Sequence, residues 1–363
     1  MMGATKTWIL WEHCFSYNKT KRIIDRSVIN LKNCLVNGQA FAWHKIEDEE
    51  SKADKEMYHG VLHGAYYAFK YDDQDRVNYW VYPETTNAAE ILSDYFQLDH
   101  DYDALMKSWC EVDPHFAKMG PKFKGLRLLR QEPFECLICF ICSQNNNIPR
   151  ITQLVESIRS RYGKFVIESY GKKFYTFPTL DELSKATEDE LRDMKFGYRA
   201  NYIVESVKAI KEKGGESWLK GLRGKSSAEV QKELCQLKGI GKKVADCISL
   251  FSMDCKNAIP VDTHIFQIYA KHYSKGKETK MSAKSYDQVS GYFQERFGEY
   301  AGWAHTFLFT ADLQSFKKEV EAEVEELVEK VADNKEVKKP KKIPAKRKDT
   351  GSRSKSTGKK VRK

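Results

Sequence analysis

The chain has 363 residues, 41% of them hydrophobic and 12% aromatic, enough for two or three domains with real cores and too apolar for a chain unfolded throughout. It has no run of about 18 uncharged apolar residues, so no membrane-spanning helix is expected, and the broken apolar run Met1–Phe15 makes a poor signal peptide. The net charge of +10 is uneven: residues 335–363 hold fourteen Lys/Arg against two acids, which leaves the remainder at −2, so a nucleic-acid surface on the folded part must be a local patch.

Residues 7 to about 100 mix β-like segments with polar loops. Val61–Tyr71 and Val77–Tyr82 are rich in Tyr, Phe, Trp and Val and flank the turn Asp72–Arg76, the pattern of an antiparallel hairpin. Glu47–Glu56 reads as a charged loop and Asn87–Phe96 as a helix. From Gly125 apolar residues recur at three- and four-residue spacing through Leu126–Cys142, Ile151–Tyr162, Ile203–Glu212, Ser227–Leu237, Val244–Met253, Thr263–Tyr273 and Tyr286–Phe297. Strand-like alternation nearly disappears there. The expected fold class is α+β: an N-terminal antiparallel β-sheet domain (1–124) packed on an all-α body (125–315). An acidic helical extension (316–334) and a disordered basic tail (335–363) follow.

Nine cysteines without paired spacing point to a reducing, intracellular compartment. Cys136, Cys139 and Cys142 suggest a metal motif, but a spacing of three puts them down one apolar helix face and no fourth ligand is near. They read as core. The acidic segment has a stripe of Val320, Val324, Leu327, Val328 and Val331 that suits a partner, a docking helix or a solvated extension. In the tail, Lys338–Lys342 and Lys346–Lys348 read as a nuclear localisation signal, with a non-specific DNA-binding tail as the other reading.

The segment Leu237-Lys-Gly-Ile-Gly-Lys-Lys243-Val-Ala-Asp-Cys247 joins two amphipathic helices through a Gly-x-Gly turn. Gly239 and Gly241 permit conformations and close approaches that side chains block. The second helix opens with free N–H groups, a ready phosphate site that positions DNA without reading bases. About twenty residues on, Ile259-Pro-Val-Asp262-Thr-His264 sets Asp262 at the N-cap of the next helix. A lysine and an aspartate at the starts of successive helices can meet at one cleft. Spacing alone leaves Lys242 and Lys243 as alternatives, and leaves Asp262 as either a cap or an active carboxylate.

These segments resemble the helix-hairpin-helix DNA glycosylases. Four further motifs are similar to eukaryotic 8-oxoguanine DNA glycosylases: Asn37-Gly-Gln-Ala-Phe-Ala-Trp43, Phe140-Ile-Cys-Ser-Gln-Asn-Asn-Asn-Ile-Pro-Arg150, Phe196-Gly-Tyr-Arg-Ala200 and Tyr300-Ala-Gly-Trp-Ala-His-Thr-Phe-Leu-Phe309. Together they cover about residues 25 to 313 in the family's order.

The resemblance implies a bifunctional glycosylase and AP lyase acting on 8-oxoguanine opposite cytosine. It makes Lys243 the nucleophile, with a pKa expected to be depressed, and leaves Lys238 and Lys242 to face phosphate. Lys238 stands where proline is usual. Asp262 is implied to stabilise the sugar cation. Gly38 is implied to offer its carbonyl to the N7–H of the extruded base, and Cys247 and Phe309 to sandwich that base. His305 stands where the family has a glutamine on the Watson–Crick edge. Asn145, Arg150, Tyr198 and Arg199 are implied to hold the opposite cytosine and the gap, and His264 to contact phosphate.

No cofactor is expected. The carbonyls of Cys235, Leu237 and Ile240 match a structural monovalent-ion site. The expected partner is double-stranded DNA containing an oxidised purine, bound by a monomer in the nucleus. A mitochondrial share and repair-protein partners through the acidic segment and tail stay open. Two other readings are a monofunctional alkylpurine glycosylase, which keeps the aspartate but lacks the lysine, and a non-catalytic DNA-binding scaffold.

Overall fold

The structure, a computed structural model, describes residues 21–25, 28–46, 56–274, 280 and 282–313. Most of the charged loop Glu47–Glu56, the acidic extension and the basic tail lie outside the described residues.

Strands β1 (Lys21–Asp25), β2 (Trp43–Ile46), β3 (Met57–Leu62), β4 (Ala65–Tyr71) and β5 (Arg76–Tyr82) form an antiparallel sheet in the order β1-β5-β4-β3-β2, with helix α1 (Leu31–Leu35) between β1 and β2 in the chain. The β4–β5 hairpin is as expected. Its turn is tied by the Asp72 carboxylate, which accepts from the amides of Gln74 (2.9 Å) and Arg76 (3.0 Å). Val61–Tyr71, however, is not one strand. His63 and Gly64 turn the chain at φ 48° and 80° and pair Leu62 with Ala65.

The break was hidden because the sheet is covered on both faces, which erases the polar alternation. One face, with Trp43, Tyr67, Phe69 and Tyr79, packs on Leu31 and Leu35 and on Leu92 and Phe96. On the other, Val61, Tyr66 and Trp80 pack on Phe174.

Helices α2 (Ala88–Tyr95), α3 (Tyr102–Val112) and α4 (Pro114–Met119) lead to the second half. There α5 (Pro133–Cys142) starts later than the spacing from Leu126 suggests. Pro133 takes the first helical position and Glu132 caps it, accepting from Glu135 N–H at 2.8 Å. Residues 126–132 are instead an extended connection clamped to Gln39, which bonds the carbonyls of Cys34 (2.9 Å) and Arg127 (3.0 Å) and the amide of Leu129 (2.9 Å). Cys136, Cys139 and Cys142 are buried in α5, as expected for core residues.

After α6 (Ile148–Tyr162) comes a departure from the all-helical expectation. β6 (Phe165–Ser169) and β7 (Lys172–Tyr175) form a hairpin around Tyr170 and Gly171, at φ 50° and 67°. It supplies the Phe174 that covers the N-terminal sheet. The rest is helical: α7 (Leu180–Leu183), α8 (Glu188–Asp193), α9 (Arg199–Glu212), α10 (Glu216–Lys220), α11 (Ser227–Leu234), α12 (Lys242–Ser252), α13 (Thr263–His272), α14 (Ala283–Phe297) and α15 (Ala301–Asp312). No described helix is long and apolar enough to cross a membrane.

Candidate active site

The glycine turn joins α11 to α12. A capping box between Ser226 and Glu229 starts α11, and Leu237 and Ile240 anchor the turn in the core. Gly239 has φ 76°, and a Cβ there would fall 2.3 Å from the Tyr202 ring of α9. Conformation and space both demand glycine. Gly241 differs from expectation. Its φ of −93° suits any residue, and nothing lies within 4 Å of where its Cβ would be. What it leaves is an open helix start with no side-chain cap, so the first amides of α12 and the positive end of its dipole face outward.

The two lysines at that start point different ways. Lys242 is exposed and pairs with Asp287 of α14 at 2.6 Å, a carboxylate rather than the open surface expected of a phosphate ligand. Lys243 turns inward. Its amine lies 5.8 Å over the ring of Phe140, which stacks on Phe251 (5.5 Å between centroids) and meets Phe41 edge-on (6.0 Å). Burial pushes the Lys243 pKa down, but Cys247 and Asp262 push it up, and the balance lies above the ordinary lysine value. The expectation of a depressed pKa fails because two partners outweigh the lost hydration. Burial likewise pushes the Cys247 thiol up to about 11, so it stays protonated.

Asp262 is half-buried and caps α13, accepting from Ile265 N–H at 2.9 Å. It is therefore both a cap and a carboxylate within electrostatic reach of Lys243.

The expected base-pocket residues gather beside this pair. Lys243 acts electrostatically on His305. His305 is buried on α15, with its ring parallel to that of Phe309 one turn on (6.5 Å, 13°). Burial pushes the His305 pKa down to about 3, with a smaller opposing pull from the Pro260 carbonyl. Among the described residues, neither ring nitrogen of His305 has a hydrogen-bond partner. His264 meets Phe309 edge-on (6.0 Å), and its Nδ1 lies 2.9 Å from Asp312. The loop of Gly38 is tied to the same helix, since Asn37 donates to Thr310 Oγ1 at 3.3 Å. Gly38 has φ 89°, a conformation that favours glycine, and a Cβ there would press on Ile148 at 3.0 Å.

Asn145, Arg150, Tyr198 and Arg199 form a second cluster joined to the first through Ile148. Asn145 is exposed, with φ 47°. The carbonyl of Gln144 accepts from Tyr198 Oη and Arg199 Nε, both at 3.1 Å, and Arg199 also donates to the Asn145 carbonyl at 3.1 Å. Its guanidinium lies 4.8 Å over the Tyr198 ring. Arg150 reaches the Lys195 carbonyl at 3.2 Å. A bent polar loop, a half-exposed aromatic ring and two arginines thus share one edge.

Phe140, Gln144 and Asp312 were not singled out in sequence. The first two lie inside a quoted motif, but their roles depend on partners far along the chain. Asp312 carries no local signal at all. The carbonyls of Cys235, Leu237 and Ile240 line the glycine turn. That of Leu237 accepts from Ile240 N–H at 3.2 Å.

Two family models match. Residues 21–137 match the 8-oxoguanine DNA glycosylase N-terminal domain, and residues 138–298 the HhH-GPD superfamily of base excision DNA repair proteins. An N-glycosylase/DNA lyase of Arabidopsis thaliana is 42% identical over 248 residues, 67% of this chain and 68% of the relative. One of Saccharomyces cerevisiae is 32% identical over 337 residues, 82% and 87%. Among solved structures, the 8-oxoguanine glycosylase/lyase of Clostridium acetobutylicum, in complex with double-stranded DNA containing cytosine opposite 8-oxoguanine, superposes with a TM-score of 0.68 at 31% identity. It covers 78% of this chain and 91% of that one. A 3-methyladenine DNA glycosylase from Archaeoglobus fulgidus shares the fold, with a TM-score of 0.62 at 20% identity.

Proposed function

The chain belongs to the N-glycosylase/DNA lyase family of HhH-GPD base excision repair proteins, and we propose on that premise that Lys243 and Asp262 carry its reaction. The protein is a DNA repair enzyme, a glycosylase and lyase that removes 8-oxoguanine from duplex DNA. The observation that carries the residue assignment is the divergence of the two lysines. Lys242 is spent on Asp287, whereas Lys243 faces Asp262 and an apolar wall.

In the proposed sequence the lesion base leaves the stack and enters the space by Gly38, Cys247, His305 and Phe309. Lys243 first releases to water the proton that the Asp262 carboxylate helps it hold. The neutral amine attacks C1′, the C1′–N9 bond breaks, and the base departs with the bonding electrons and takes up a proton. Asp262 stabilises positive charge on the sugar while that bond lengthens. The resulting amine adduct opens to a Schiff base, and loss of a C2′ proton expels the 3′ phosphate by β-elimination. Asn145 fills the vacated space, Tyr198 wedges into the stack, and Arg150 and Arg199 hold the opposite cytosine with forked hydrogen bonds.

Lys243→Gln should bind a lesion duplex within a few-fold of wild type and release no base over many wild-type half-lives. Base release at the wild-type rate would remove Lys243 from the mechanism. The reading extends to a monomer in the nucleus, supported by the tail clusters Lys338–Lys342 and Lys346–Lys348. Neutralising both clusters should move a tagged chain into the cytoplasm, and unchanged nuclear residence would refute the assignment.

A further inference from the structure

Beneath the two candidate catalytic groups lies a buried carboxylate that the chemistry above leaves unused. Asp246 sits on α12 one turn after Lys243 and is 4% exposed. Its Oδ1 accepts from Gln231 Nε2 of α11 at 2.7 Å, and its Oδ2 accepts from Tyr286 Oη of α14 at 2.5 Å. The same phenolic oxygen lies 3.4 Å from the Val261 amide and 3.3 Å from the Ile259 carbonyl. Those two residues belong to the short segment that ends in Asp262. One hydroxyl therefore touches the helix of Lys243 and the segment of Asp262.

A phenol has one proton to donate. While Asp246 is a carboxylate, the charge-assisted bond holds that proton, and a lone pair of the oxygen faces the Val261 N–H. With Asp246 neutral, that charge-assisted bond is lost, the Ile259 carbonyl competes for the phenolic proton, and the link from α12 to the Ile259–Val261 segment weakens. Packing does not require the charge, because an amide fills the same volume. Burial pushes Asp246 up to about 6, against the pull of Tyr286, Gln231 and Lys242, so its ionised form costs stability at neutral pH.

We propose that Asp246 and Tyr286 are positioning residues, whose hydrogen bond ties α12 to the Ile259–Val261 segment and so sets the separation of Lys243 and Asp262. The proposal rests on the assignment of those two residues above. The titratable and charged groups facing Asp246 are Lys242 and Cys247 on its own helix, Cys235 after α11, Cys255 after α12, and Tyr286 and Asp287 on α14. Burial pushes the three thiols and the phenol upward, so they stay neutral through the range where Asp246 titrates.

The test is single-turnover excision on an 8-oxoguanine:cytosine duplex by the full-length wild type, Asp246→Asn and Tyr286→Phe across acid to alkaline pH, with thermal unfolding and duplex affinity measured alongside. A misplacement of about 1 Å costs up to a hundredfold in rate, so a loss of about tenfold or more is expected in each variant, with affinity within about twofold of wild type. Asp246→Asn should melt no lower than wild type at neutral pH. Wild type should decline in rate as pH falls through about 6, and the Asp246→Asn profile should lack that decline. A structural role alone would couple slower excision to a lower melting temperature and leave the pH profile unmoved. Variants as fast as wild type, or slowed only in proportion to lost stability, overturn the proposal. A wild type that releases no base overturns the assignment of Lys243 and Asp262 and the proposal with it.

Discussion

Lys243 loses hydration beneath the Phe140 ring and still keeps its proton, because Cys247 and Asp262 repay more than burial removes. The sequence carried both lysines at the helix start, and spacing could not separate them. Orientation toward Asp287 or toward Phe140 does, and neither partner is near in the chain. His305 is the converse case. Its identity departs from the family pattern, a departure plain in the sequence, but its neutrality follows from burial that only the fold creates. Burial holds its pKa at about 3 in the folded protein, below the 6.5 of a free imidazole, so its contribution to stability is fully present above 6.5 and is lost as pH falls toward 3. His305→Gln should therefore hold its melting temperature better than wild type as pH falls through that window, and should change the ranking of oxidised-purine lesions without changing the shape of the pH–rate profile. Melting curves and a lesion panel check this. An equal acid sensitivity would show that the imidazole is not buried neutral.

The glycine turn shows how far an element can be read from its letters. Two amphipathic helices around Gly-x-Gly were legible from apolar spacing and breakers, as was the Asp262 cap. The separate reasons for the two glycines were not, since Tyr202 comes from another helix. Gly239→Ala would force a left-handed residue and a clash with Tyr202, and should destabilise the fold by at least about 1 kcal/mol. Gly241→Ala should stay within about 0.5 kcal/mol of wild type in stability while weakening binding to duplex DNA through the space it fills at the start of α12. Thermal melts and duplex titrations separate the two, and a destabilised Gly241→Ala with normal affinity would contradict the account. The hairpin β6–β7 was missed for a different reason. Its strands have five and four residues and sit between helices, so the helical pattern on either side dominates any window long enough to show a period. The extended connection 126–132 was read as helix for its apolar residues. Their burial is real, but the Gln39 clamps and Pro133 decide the backbone.

Across the whole molecule the α+β class and the order of its parts were legible, because composition shifts at about residue 125 and again at the tail. The packing that makes the site was not, since it brings Gly38, Asn145, Lys243, Asp262 and His305 together from five segments. Charge is distributed to match. The part before the tail carries −2 in all, so the DNA contact proposed for it rests on a local group, for which Arg150, Arg199 and the open end of α12 are the candidates. The tail adds +12. Removing residues 335–363 should weaken non-specific binding and flatten its salt dependence, with each lost phosphate contact lowering the slope by about 0.9, while single-turnover excision stays at the wild-type rate. An unchanged slope would mean that the tail does not touch DNA.

The central claim is that Lys243 becomes covalently joined to the sugar of an excised 8-oxoguanine. Borohydride trapping tests it directly, with a duplex carrying 8-oxoguanine opposite cytosine beside an undamaged G:C duplex. An adduct is expected on the lesion duplex alone, and none with Lys243→Gln. An adduct that persists in Lys243→Gln, or base release with no trappable adduct in the wild type, would contradict it.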